Sequence, residues 1–185
     1  MPEKQALAHG LRLDAEIHAS EFLGGGLMHL GLGITERFQC IHHVLKSALD
    51  LPGTSYVRVC VDKTSCSGSP LDAAWQLLFA EIRKLGEKPV AHACPVRGLI
   101  VLCDHHAALP YRPTPEVMRA LADGDQLLEL PLGRDSRDSL PLQLADLLAY
   151  LTRQSVAPNR YFAKPGGRNL LRIADAIFRV NKPGI

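Results

Sequence analysis

Three aspartates occupy positions where carboxylates do chemistry. Asp62 closes the apolar run "YVRVCVD" and Asp104 closes "GLIVLCD"; in open α/β sheets, ligands bind beyond the carboxyl ends of the strands. Two carboxylates at neighbouring strand ends can share a hard divalent cation such as Mg²⁺ or Mn²⁺, which takes oxygen ligands, activates water and offsets the charge that develops in phosphoryl transfer. Asp also favours turns for local reasons, so both positions fit an ordinary strand end equally well. The third, Asp146, stands in "SLPLQLADLLAYLTRQ", Ser139 to Gln154. At about 100° per residue, Leu144, Leu147, Leu148 and Leu151 centre on one side, while Gln143, Asp146, Tyr150 and Arg153 cluster roughly opposite. Periodicity reads that second cluster first as a solvated face, and as a site only with further support.

Other side chains with chemical potential are less well spaced. The histidines of "CDHHAA", His18, and the pair His42 and His43 are possible metal ligands or proton carriers. Adjacent residues point to opposite faces of a strand and lie about 100° apart on a helix, so neither His-His pair is a natural chelate. No nucleophile elbow, Walker loop or dinucleotide fingerprint occurs, and "GGGLMHLGLG" follows no strand signal, which makes it a flexible turn. Five cysteines at 40, 60, 66, 94 and 103 form no CxxC pair and no even framework; they read as reduced thiols. The segment from Leu151 to Lys182 holds seven Lys and Arg against one acid, leaving the remainder of the chain acidic. With Tyr161 and Phe162 between Arg160 and Lys164, it has the composition of a nucleic-acid contact, cations for phosphates and rings for stacking, although a solvated terminal helix has that composition too. Arg160, Lys164 and Arg168 are its candidate contacts.

The elements that must position these residues alternate. The spacing of Ile34, Phe38, Ile41, Val44, Leu45 and Ala48 predicts a helix over Thr35 to Leu49. "YVRVCVD", Tyr56 to Asp62, is the first strand signal and "GLIVLCD", Gly98 to Asp104, the second. Between them Ser69 as N-cap, Pro70, Asp72 three residues after the cap, and Gly86 bound a helix burying Trp75, Leu78, Phe79, Ile82 and Leu85. Thr114 and Pro115 open a short helix that Gly124 stops, and "QLLELPL", Gln126 to Leu132, is a third strand. "APNRYFAKPGGRN" reads as a loop and "LLRIADAIFRV" as the last helix. Strand, helix, strand, helix, strand, helix is the alternation of an α/β layer fold.

With 185 residues, 46% of them hydrophobic, the chain has the size of one domain with a substantial core, and a formal charge of +2 names no partner. No run approaches the roughly 18 apolar residues of a membrane span and "MPEKQALAHG" lacks the apolar core of a signal peptide, so the expected location is the cytoplasm.

The stretches "EIHASEFLGG", "VCVDK", "LIVLCDHH" and "RDSRDSLPLQLADLLAY" together resemble the bacterial and phage family catalogued as domain of unknown function 3800. The most specific match is Asp135 and Ser136 followed, after a spacer, by Gln143, Leu144, Ala145 and Asp146; the stretch around His18 is the second and Asp104 after its strand the third. The resemblance covers nearly the whole chain and implies a ribonuclease H-like fold, here a single domain over residues 1–185 with a basic loop and helix from about 151. It implies a carboxylate site holding Mg²⁺ or Mn²⁺ and cutting phosphodiesters, with Asp104 and Asp146 as metal ligands and Glu16, Glu21 and Asp62 as further acids. His18, Asp135, Ser136 and Gln143 match motifs without an assigned role. The family's opening strand with its Asp-Glu-Ser-Gly motif has no counterpart in the sequence. Two functions follow as expectations: a metal-dependent nuclease, or a catalytically inactive ribonuclease H-like module that binds nucleic acid or a protein. A sheet lacking its first strands would also expose an apolar edge, which predicts a homo-oligomer or a covering partner chain.

Overall fold

The computed structural model describes residues 18–24, 31–51, 54–86, 102–104 and 132–180. In chain order these form α1 (Ala19–Gly24), α2 (Ile34–Leu49), α3 (Pro70–Gly86), β1 (Leu102–Asp104), β2 (Leu132–Arg134), a 3-10 turn at Ser136–Asp138, α4 (Leu140–Val156) and α5 (Pro165–Val180). The chain divides into two compact units: Met1–Tyr56 with Ser136–Ile185, and Val57–Asp135.

The first unit is helical in its described residues. α2 starts where Gly33, in extended conformation, donates its N–H to the Glu36 carboxylate at 2.7 Å, the second half of a capping box. Its start is one residue before the expected Thr35. It ends where the Tyr56 hydroxyl donates to the Ala48 carbonyl at 2.8 Å, giving one orphan C-terminal carbonyl a partner. Cys40, Ile41, Leu45 and Ala48 face inward from α2; Leu147, Leu148 and Leu151 from α4; Leu170, Ala174 and Ile177 from α5; Phe22 and Leu23 from α1. The expected leucine face of α4 is thus its packed face, with Leu144 partly buried beside it.

α5 begins at Pro165, five residues before the stretch expected to be helical. Proline suits the first helical position because its missing N–H is one of the unsatisfied donors there. The glycines behind it, read as a loop from composition, are helical for a non-local reason. A Cβ on Gly167 would lie 2.6 Å from the Tyr161 carbonyl oxygen and closer still to the Phe162 Cα, so only glycine lets the helix start against that backbone. Phe162 is fully buried, its ring 5.5 Å from Phe38 and 5.9 Å from Tyr150. It is a core residue, and not the stacking ring that its basic surroundings pointed to.

In the second unit Ser69 caps α3 as expected, its hydroxyl accepting the Asp72 N–H at 3.3 Å. Phe79 is buried and stacks on Trp75 with ring centroids 5.3 Å apart. β1 and β2 pair in parallel, Leu102 beside Leu132, Cys103 beside Gly133 and Asp104 beside Arg134. Parallel pairing is what strand-helix alternation implies, and the α/β class holds in that coarse form. Over the expected first strand, Val57, Val59 and Val61 are half-buried and Arg58 and Cys60 exposed, the alternation of a strand, but it pairs with no strand among the described residues. Period-two alternation makes a strand only when another strand is in register with it. β2 takes in Leu132 of the expected third strand and continues to Arg134; Gln126 to Pro131, Gly98 to Val101 and the helix expected from Thr114 to Gly124 fall outside the described residues. Among the described residues no helix is long and apolar enough to cross a membrane.

Candidate functional site

The start of α1 and the middle of α4 meet through one hydrogen bond. A helix leaves its first N–H groups without intrahelical partners, and the first of α1, Ala19 N–H, donates to the Asp146 carboxylate at 3.0 Å across 127 positions. The next donors turn back locally: Glu21 N–H and Phe22 N–H both reach the His18 carbonyl, at 3.1 and 2.8 Å. A carboxylate at this end also complements the positive pole of the helix dipole. Asp146 itself remains exposed, as do His18 and Glu21. Three of the residues singled out in the sequence therefore lie at one end of one short helix.

Three residues before Asp146 on α4, the Gln143 amide donates to the Ser136 carbonyl at 2.9 Å. Ser136 is buried and opens the 3-10 turn; its carbonyl also receives the Ser139 N–H at 3.1 Å. The spacing between the Asp-Ser pair and the Gln-Leu-Ala-Asp helix thereby acquires a physical cause. Gln143 fastens the turn to the first turn of α4, so the helix enters at a set angle and presents Asp146 to α1. Asp135 is half-buried at the end of β2's unit.

The remaining acids are placed differently. Asp62 is fully exposed in a turn, where its carboxylate accepts the Thr64 N–H at 2.9 Å and the Thr64 hydroxyl at 2.7 Å; these bonds hold its pKa below the usual carboxylate range. Those two bonds give it a local role in the turn, of the kind for which Asp is favoured there. Asp104 does end a strand, exposed, and the register places Arg134 beside it on the same face. Glu16 lies outside the described residues, as do His105 and His106. His42 and His43 sit on α2 with ring centroids 5.9 Å apart, and burial, then Lys46, then His43 lower the pKa of His42.

Mg²⁺ and Mn²⁺ are satisfied by several oxygen ligands at once. Among the described residues no three His, Cys, Asp or Glu side chains gather closely enough to hold an ion. At the α1–α4 junction those residues offer a cation the Asp146 carboxylate, one oxygen of which already accepts the Ala19 N–H.

Of the basic residues, Arg160, Lys164 and Arg168 are all exposed. Arg160 is engaged locally, donating to the Tyr161 hydroxyl at 2.7 Å with its guanidinium 4.8 Å from that ring's centroid. Arg172, exposed one turn beyond Arg168, was not singled out from the sequence, although its i+4 spacing was the signal that would have found it. Arg37 was missed without any such signal. It is only 6% exposed, donates to the Phe22 carbonyl at 3.0 Å, and its Nε has no hydrogen-bond partner among the described residues. It braces α2 against the carboxyl end of α1, the opposite end from Asp146. No family model, curated sequence or solved structure matches the chain.

Proposed function

We propose that this chain is a nucleic-acid-directed phosphoryl-transfer protein of the ribonuclease H type, a nuclease using Mg²⁺ or Mn²⁺, with Asp146 as the acid at the centre of its site. One observation supports this most: the Asp146–Ala19 hydrogen bond joins two of the four stretches whose residues carry the family resemblance. It leaves Asp146, His18 and Glu21 exposed at the same place. Glu16 precedes His18 by two residues, and Asp104 is a further acid that the resemblance implies. A bound divalent cation would supply activated water and charge neutralisation. The chain's own part is to hold Asp146 through Ala19 and Gln143, and to draw a polyanion with the exposed cations of the same unit.

Purified protein is expected to cleave RNA, DNA or a hybrid when Mn²⁺ or Mg²⁺ is added, and to lose that activity in Asp146→Asn and in Asp104→Asn. Undiminished cleavage in both variants would remove the assignment. A specific observation favours a second reading, the inactive module: Asp146 and Gln143 both serve backbone groups, as structural residues do. That reading predicts nucleic-acid binding without metal-stimulated cleavage in the unmodified chain.

The four described cysteines are free, as cytoplasmic thiols are, and we place the protein there. Leu102 and Leu132 are exposed on the two-stranded sheet, whose outer edges pair with nothing among the described residues. We assign their cover to a second copy or a partner chain; light scattering from a clean 20.2 kDa species would exclude self-association.

A further inference from the structure

Lys164, Arg168 and Arg172 follow one another at four-residue intervals along the start and body of α5, and all three are exposed. At 1.5 Å per residue they span about 12 Å of helix axis on one side. The opposite side, Gly167, Leu170, Ala174 and Ile177, is buried in the core. No acid lies in the first turn, so two of the cations stand beside the positive pole of the helix dipole, where like charges repel and an anion is stabilised. Asp175, the one acid of the stretch, follows a turn later and is half-buried.

We propose that this exposed face of α5 is a docking surface for the sugar-phosphate backbone of a double-stranded nucleic acid. The inference rests on the nucleic-acid part of the function proposed above and narrows it to a substrate class. Single strands are held by aromatic platforms on which successive bases stack, and the rings of this segment are committed, Phe178 being packed against the core. Phe162 is fully buried, and Tyr161 is half-buried under the Arg160 guanidinium. What remains is a straight row of cations without rings, which suits the regular phosphates of a duplex and reads no sequence. A lipid surface is disfavoured because the apolar side of α5 is already used in the core, and among the described residues none of the exposed large hydrophobic ones belongs to α5.

The test is fluorescence anisotropy of the full chain with a labelled duplex of about 20 base pairs, in EDTA, across roughly 50 to 200 mM salt. Each phosphate contact contributes about 0.9 to the slope of log affinity against log salt. The Lys164→Gln/Arg168→Gln/Arg172→Gln variant should flatten that slope by about 2 to 3 and weaken binding at low salt at least tenfold. Lys84→Gln, an exposed lysine on α3 that pairs with Glu81, should change it little. Circular dichroism confirms that the triple variant folds, and the three single variants, each flattening the slope by about 0.9, replace it if it does not. An unchanged slope and affinity would overturn the proposal. So would a single strand of equal length, anionic vesicles or polyglutamate binding at least as tightly as the duplex. Because EDTA excludes metal-dependent cleavage, a duplex-binding protein that never cuts would uphold this surface while removing the catalytic assignment.

Discussion

Truncating Asp146 to alanine removes the acceptor of the Ala19 N–H and leaves the amino end of α1 without its long-range partner. A hydrogen bond to a charged group contributes about 1.5 to 3 kcal/mol, and a carboxylate near a helix amino terminus about 0.3 to 1 kcal/mol. Here both describe the same contact, so they are not summed, and solvent screening at an exposed carboxylate favours the lower end, about 1.5 kcal/mol. Asparagine keeps an oxygen for the same N–H and loses the charge, so Asp146→Asn should cost about half as much, roughly 0.7 kcal/mol. In a chain of 185 residues each kcal/mol moves Tm by about 2 to 4 °C. The alanine variant should therefore melt about 3 to 6 °C lower and the asparagine variant about 1 to 3 °C lower. Helical circular dichroism followed through thermal and urea unfolding measures both. Equal midpoints for all three proteins would refute the claim that Asp146 holds α1. The same pair separates support from chemistry: well below the transition both variants are folded, and a site acid that matters to the reaction abolishes cleavage in Asp146→Asn despite its small structural cost.

Gly167→Ala should destabilise by about 1 to 2 kcal/mol, because the clash is with backbone and costs more than the roughly 1 kcal/mol that alanine gains in a helix. Gly166→Ala, whose new methyl would meet only the Phe38 ring at 3.2 Å, should stay within about 1 kcal/mol of the parent in urea unfolding. Burial raises the pKa of Cys40, Tyr56 and Tyr150, so the unfolded chain releases these protons at lower pH than the folded one. Stability should be complete below the ordinary thiol value and fall as pH rises through roughly 8.5 to 10 and beyond; a urea midpoint that is flat across that range would count against it. Peptide-resolved alkylation of the native protein should label exposed Cys60 quickly and buried Cys40 only after unfolding, and equal rates would show that α2 does not shelter its thiol.

Local signals made some of the fold readable in advance. The cap at Ser69, Pro70 behind it and the apolar spacing of α2 all act within a turn or two of chain, and those helices are where they were expected. Features that depend on distant partners were not readable. The alternation of Val57, Val59 and Val61 is present, but among the described residues no strand pairs with it. Pro165, Gly166 and Gly167 have loop composition, yet the backbone of Tyr161 and Phe162 makes glycine a condition for the helix. Phe162 carries no mark that separates a core ring from a stacking ring, and Arg37 breaks the rule that charge lies outside. For the site, periodicity could say only that Gln143 and Asp146 avoid the leucine face. That the first reaches Ser136 and the second Ala19 is a property of tertiary structure. Asp62 shows a local bond the sequence left unread, its carboxylate accepting two bonds from the residue two places on.

The helical unit is assembled from two separated lengths of chain, and its Ala19–Asp146 bond spans 127 positions. At about 5 to 20 residues per second, a ribosome needs on the order of ten seconds to make the stretch between them. Through that interval Phe22, Leu23, Ile41 and Leu45, buried in the finished unit, have neither α4 nor α5 to cover them. The intervening unit, Val57–Asp135, is complete before the helical one can close. The nascent chain therefore passes through a stage with one unit entire and a sticky amino-terminal arm trailing, and its yield in a cell depends on who shields that arm until the last helix leaves the ribosome.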